Sequence, residues 1–268
     1  VPLPALWNDP GAGKPRSFLE ADNKIGTFPD LPSFDEFIKD YNATITAVDD
    51  NVGKVLAAVD ELKIADDTAI LFTADNGFFL GEWQRFDKRL MHEPSIRVPL
   101  LVRYPKLTKP GSSTKKMTIN PDYAPTVLEL AGVKKPEYMH GRSLAPLLAG
   151  RETADWRKDW LYRYYEYPDS HACPPCLGVR TETHKLIRYL TKPEEFELYD
   201  LVADPEERVN LADKPEHAAL KQRLLTRIDE LRKEVGDAGE LEFVTLLDPK
   251  TRPREMPAMP KKKAPKKG

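Results

Sequence analysis

Asp75, Asn76 and Lys88 are the residues whose types and order could do chemistry together. A carboxylate beside an amide carbonyl offers two hard oxygen donors, which suits Ca2+ or Mg2+ rather than a soft metal. Lys88 adds a mobile point charge, suited to an anion held at such a cation. The same polar loop carries Glu82, Asp87, Arg89 and His92. Asp75-Asn76-Gly77 is also a common turn tripeptide, and on the residues alone the turn reading is the stronger one.

Two apolar runs must position these residues. Ala69-Ile70-Leu71-Phe72-Thr73 stops at Asp75, and Val98-Pro99-Leu100-Leu101-Val102 leads to Arg103. Short apolar runs bounded by turn residues read as strands buried on both faces. In open α/β sheets ligands bind beyond the carboxyl ends of such strands, where Asp75 and Asn76 stand. Upstream, Ser33 and Glu36 have capping-box spacing and open a helix to about Leu62. Tyr41, Ile45, Val48, Val52, Val55, Val59 and Leu62 make its apolar stripe, with Asp49 and Asp50 on a solvated face. Helix, turn, strand and strand is α/β organisation.

The first 33 or so residues are broken by proline and glycine and read as a segment lying across another part of the protein. Lys106 to Lys116 is an exposed turn, and a helix from Pro121 to about Leu130 is closed by Gly132. From Trp156 the pattern changes. Trp160–Tyr167, Gly178–Thr181, Lys185–Leu190 and Glu197–Asp200 are β-prone, and a helix follows from about Pro215 to Val235. This divides the chain into an α/β part over residues 1–150, a small α+β subdomain over 151–240 and a disordered basic tail over 241–268.

At 268 residues, with 40% hydrophobic and 31% charged side chains, the composition is that of a globular protein. A net charge of −2 gives no basic field for nucleic acid, and no apolar run approaches a membrane span. The sequence starts at Val1, so a processed, trimmed or partial chain is expected. Cys173 and Cys176, in Cys-Pro-Pro-Cys, complete neither a disulfide framework nor a zinc site, and read as an ordinary loop pair or a local disulfide.

Several linked elements resemble the formylglycine-dependent sulfatases of the alkaline phosphatase superfamily. They are Tyr41 to Asp49 on the helix, Asp75-Asn76-Gly77, Leu80-Gly81-Glu82, Asp87-Lys88-Arg89 and Ile96-Arg97-Val98-Pro99-Leu100. Asp122 to Thr126, Gly141 to Leu148, Gly178-Val179-Arg180-Thr181 and Leu198-Tyr199-Asp200 through Asn210-Leu211-Ala212 continue it. The resemblance implies part of an alkaline-phosphatase-like mixed sheet flanked by helices, followed by the small subdomain. It implies hydrolysis of a sulfate ester, a sulfated carbohydrate among the candidates, with Asp75 and Asn76 as metal ligands and Lys88 on the sulfate. A phosphodiesterase or phosphonate hydrolase of the same superfamily and an inactive fragment are the alternatives. Arg89, His92, His171 and Arg180 would stand at the substrate rim. Ca2+, or Mg2+, and a formylglycine are implied, but Cys176 and Leu177 depart from the Cys-x-Pro-Ser-Arg pattern that yields formylglycine. The nucleophile is therefore expected in a missing N-terminal half, without which the chain is a poor catalyst. Family habit implies a periplasmic or extracellular setting.

Overall fold

The computed structural model describes residues 2–25, 33–151, 153–168 and 171–250. Helix α1 is the single turn Arg16–Leu19, and α2 is the long helix Phe34–Glu61. Ser33 and Glu36 form the expected reciprocal capping box at its start. Strand β1, Ile70–Thr73, pairs antiparallel with β4, Leu100–Arg103, with Thr73 opposite Leu100. Between them lie a two-residue hairpin, β2 (Phe79–Leu80) and β3 (Phe86–Asp87), and the one-turn helix α3, Glu93–Ile96.

The two apolar runs are strands, but neither is buried on both faces. Phe72 is 38% and Leu101 is 61% exposed, because among the described residues β1 and β4 pair only with each other. The stripe on α2 is likewise uncovered in part, with Ile45 49% and Val55 56% exposed.

Helix α4, Tyr123–Leu130, follows a 3-10 turn at Asn120–Asp122, and Gly132 leaves it at positive φ. After the one-turn helix α5, Ala145–Leu148, the chain forms a four-stranded antiparallel sheet in the order β5 (Asp159–Tyr164), β6 (Cys176–Thr181), β7 (His184–Tyr189) and β8 (Glu195–Asp200). Helix α6, Ala218–Glu234, covers one face through Leu224, Ile228 and Leu231, packed on Leu177, Val179, Leu186 and Leu198. Alternation along each strand sends Cys176, Ile187, Tyr189 and Tyr199 to the other face. There they meet Leu6, Phe18, Phe79, Trp83, Leu90 and Met91 from the first part of the chain. Gly178 lets this packing close, since a Cβ there would collide with the Met91 side chain.

The irregular N-terminal segment does lie across the rest. Trp83 N–H donates to Leu6 O at 3.1 Å, Phe86 N–H to Asn23 O at 2.9 Å and Asp22 N–H to His171 O at 2.6 Å. Residues 241–250 form neither helix nor strand beyond one bridge of Val244 with Thr191, and the remainder of the basic tail lies outside the described residues.

Candidate functional site

Asp75, Asn76 and Gly77 leave the end of β1 and are held by two neighbours. Gly77 N–H donates to Ser95 O at 2.8 Å, and Asn120 Nδ2 donates to Asp75 O at 2.5 Å. Gly77 is required by crowding rather than by a left-handed turn. A Cβ there would run into the carbonyl of Pro94 and lie 2.9 Å from the carbonyl of Arg97. Asp75 Oδ1 accepts from Asn76 N–H at 2.9 Å, and Asn76 Nδ2 donates to Gly77 O at 2.6 Å. That second bond fixes the amide so that Asn76 Oδ1 is its free acceptor, and Lys88 Nζ donates to it at 2.8 Å.

Lys88 is presented by a strained hairpin. Trp83, Gln84, Asp87 and Arg89 all have positive φ, between 50° and 86°. Non-glycine residues in that region carry a cost that surrounding structure must hold in place. Arg85 does much of the holding. It is fully buried, stacks on Phe18 and bonds Asn23 and Phe18 O. Asp87 is clamped by Arg89 and by His171 Nε2 at 2.9 Å. Burial pushes the Asp87 carboxyl up, but the His171 hydrogen bond and the Arg89 charge outweigh it and hold the group below its ordinary value. Tyr162 OH donates to Arg89 O at 2.8 Å, tying the hairpin to β5.

A cavity of about 960 Å³ is lined by Asp75, Asn76, Lys88 and Arg89 together with Trp160 from β5 and Arg180 from β6. The structure thus brings together five of the seven residues picked from the sequence. His92 is not at the opening. It is 0% exposed, because its ring lies among Phe18, Phe79, Trp83 and Tyr199 in the core. Its Nε2 sits 3.1 Å from Glu197 Oε2 and 3.2 Å from Lys14 Nζ. His171 does not line the cavity either and acts on it through Asp87.

Residues missed from the sequence support the site from behind. Lys185 is fully buried and bonds Glu207 at 2.6 Å and Glu93 at 2.8 Å. Lys14, in the segment read as lying across another part of the protein, donates to Tyr199 OH at 2.6 Å and to Glu207 O at 2.9 Å. One signal was available. Lys185 and Glu197 stand at strand positions whose neighbours at i±2 are Ile187 and Tyr199, so each charge had to point inward and be paired.

As metal donors, Asp75 and Asn76 fit a hard cation in type and placement, but they are two. Among the described residues no cluster of three or more His, Cys, Asp or Glu could hold a metal. Cys173 and Cys176 are both unoxidised and buried. Burial raises the Cys173 thiol to about 12 and the Cys176 thiol further still, so neither is a ready nucleophile.

The family described as N-sulphoglucosamine sulphohydrolase, C-terminal, matches residues 81–234, and the family described as Sulfatase matches residues 9–133. The chain is 42% identical over 216 residues to an N-acetylglucosamine-6-O-sulfatase of Bacteroides thetaiotaomicron, covering 80% of this chain and 39% of that protein. It is 34% identical over 193 residues to the multifunctional alkaline phosphatase superfamily protein PehA of Trinickia caryophylli, covering 67% of this chain and 37% of the relative. Among solved structures it superposes with a TM-score of 0.79 and 32% identity on a protein bound to its substrate D-glucosamine-2-N,6-O-disulfate, covering 89% of this chain and 60% of the other. A phosphonate monoester hydrolase from Silicibacter pomeroyi gives a TM-score of 0.75 at 28% identity, covering 89% of this chain and 51% of the other. The chain therefore spans about two fifths of the length of these sequence relatives. Matching in sequence, in fold and across the Asp75–Lys88 segment, the chain belongs to the sulfatase family of the alkaline phosphatase superfamily, as a C-terminal portion of it.

Proposed function

We propose that the protein of which this chain is part hydrolyses a sulfate ester on a sugar, with a glucosamine 6-sulfate as the substrate class. The observation that carries this is the cluster of Asp75, Asn76 and Lys88 at one wall of the cavity, with Lys88 Nζ already at the Asn76 oxygen. The relatives named for N-acetylglucosamine 6-sulfate and the neighbour bound to a glucosamine disulfate supply the sugar.

In this reading Asp75 and Asn76 would hold a divalent cation, Ca2+ or Mg2+, with further ligands from elsewhere in the protein. A bound cation supplies Lewis acidity at the ester's anion. Lys88 binds a sulfate oxygen and keeps a positive charge where negative charge accumulates. Arg89, held by Asp87 and by Tyr162, and Arg180 bind and orient the sugar. Formylglycine does not fit either cysteine of this chain, since both are buried thiols outside the Cys-x-Pro-Ser-Arg pattern.

The uncovered apolar residues of α2, β1 and β4 are what an N-terminal half of the same protein would cover. The division into an α/β part over 1–150 and a subdomain over 151–240 goes with this reading, as does an extracytoplasmic setting.

The test is an assay of the longer protein on N-acetylglucosamine 6-sulfate, with and without chelator. Chelator-sensitive release of sulfate is expected. Turnover of a phosphonate monoester or phosphodiester without any sulfate release would overturn the reading. That second activity is favoured by one finding, the similarity to phosphonate monoester hydrolases.

A further inference from the structure

Arg180 lines the same cavity as the Asn76–Lys88 pair, and its side chain is 25% exposed. Its Nε approaches Glu93 Oε1 at 3.5 Å and its Nη1 donates to Thr181 O at 2.8 Å. Nη2 has no partner among the described residues. Glu93 is itself fixed from two sides. Its carboxylate takes the buried Lys185 ammonium at 2.8 Å, and its backbone N–H donates to Glu207 Oε2 at 2.7 Å. Glu207 Oε1 takes the same ammonium at 2.6 Å. Glu207, Lys185, Glu93 and Arg180 thus form an alternating row of charges that starts in the core and ends in the cavity.

Such a row is expensive to bury unless each charge is paired. The inner three members, two carboxylates around one ammonium, carry one net negative charge. Arg180 neutralises that charge through Glu93, which also lines the cavity, and keeps the Nη2 edge of its guanidinium open. Of its two cross-strand partners, Lys185 and Trp160, Trp160 is another cavity residue. A planar guanidinium with an open edge matches a sulfate or carboxylate, and an indole suits the face of a sugar ring.

We propose that Arg180, positioned by Glu93 and Lys185, forms a second anion subsite that selects substrates carrying another sulfate or carboxylate besides the ester that is cleaved. The inference rests on the sulfate-ester reading above and extends it from the reacting group to the rest of the substrate. Glu93 and Lys185 are positioning residues in it, and Arg180 is the contact.

The experiment compares Arg180→Gln and Arg180→Lys with the parent longer protein on a panel. The panel is N-acetylglucosamine 6-sulfate, glucosamine 2-N,6-O-disulfate, glucosamine 3,6-O-disulfate and a uronate-linked 6-sulfated disaccharide. Arg180→Gln leaves Glu93 its Lys185 partner, so the fold should persist, and thermal melting checks it. At least one dianionic member is expected to lose ten times more kcat/KM than the monosulfated sugar, mainly through KM, with partial rescue by Arg180→Lys. Losses that agree within twofold across the panel would overturn the subsite. If the parent turns over none of the panel, the sulfate-ester reading fails on its own. Calorimetric binding of the same four sugars to the parent and to Arg180→Gln then decides the subsite, by the same tenfold criterion on Kd.

Discussion

Lys88 Nζ donates to Asn76 Oδ1 at 2.8 Å, bridging 12 positions of sequence. The oxygen that Lys88 takes is the one Asn76 would offer to a cation, because the amide nitrogen is committed to Gly77 O. Ammonium and divalent cation therefore compete for one oxygen and repel each other nearby.

This competition makes a prediction that does not depend on turnover. In the longer protein, Lys88→Met should bind Ca2+ at least as tightly as the parent, whereas Asp75→Asn and Asn76→Ala should bind it more weakly. Calorimetric titration measures both. Weaker Ca2+ binding by Lys88→Met would mean that the ammonium supports the site instead of competing for it.

The same ammonium should matter far more to the reaction than to the cation. Removing a fixed donor aimed at developing charge costs roughly 100-fold or more in turnover. Lys88→Ala in the longer protein should lose at least that much kcat on a sulfated sugar. A kcat within threefold of the parent would remove Lys88 from the chemistry.

The segment from Asp75 to Lys88 was legible from the sequence because it is local: a strand, a sharp turn and a charged loop in order. The antiparallel sheet and α6 were legible for the same reason, through alternation along Gly178–Thr181 and Lys185–Leu190 and the apolar period of Leu220, Leu224, Ile228 and Leu231. His92 was misplaced because its burial comes from partners far along the chain, 78 positions away at Lys14 and 105 at Glu197. Lys14 was missed for the same reason, since nothing around it in sequence announces the Glu197 and Tyr199 that enclose it.

Gly77 offers a structural test of how tightly the turn is built. A methyl group at this position meets the backbone carbonyls of Pro94 and Arg97, which belong to α3 and the approach to β4 and cannot simply rotate away. Gly77→Ala should destabilise the chain by about 2 kcal/mol, within the range for overpacking. Urea unfolding measures it. Gly53→Ala, on α2 with nothing within 4 Å, is the control and should be neutral or slightly stabilising. Equal behaviour of the two variants would show that the turn yields easily.

Acid should loosen the core behind the site, and the sign follows from two buried groups. Burial lowers the His92 pKa, so the folded state holds this ring neutral at pH values where an unfolded histidine takes a proton. Burial pushes the Glu197 carboxyl up, but the Lys14 charge and the hydrogen bonds of His92 and Tyr189 win and leave it well below its ordinary value. In both cases the unfolded chain binds more protons, so stability falls as pH falls. The His92 contribution is complete above about 6.5, the ordinary histidine value, and the Glu197 contribution disappears below the ordinary carboxylate range. Melting temperature should drop between pH 7.5 and 5.5 by roughly 2 °C or more, since about 1 kcal/mol moves a chain of this size by that amount. His92→Gln should be less stable than the parent at pH 7.5 but show a shallower slope across that window. A parent slope of zero or of opposite sign would mean that His92 is held as a cation against Glu197, and the neutral-ring assignment would be wrong.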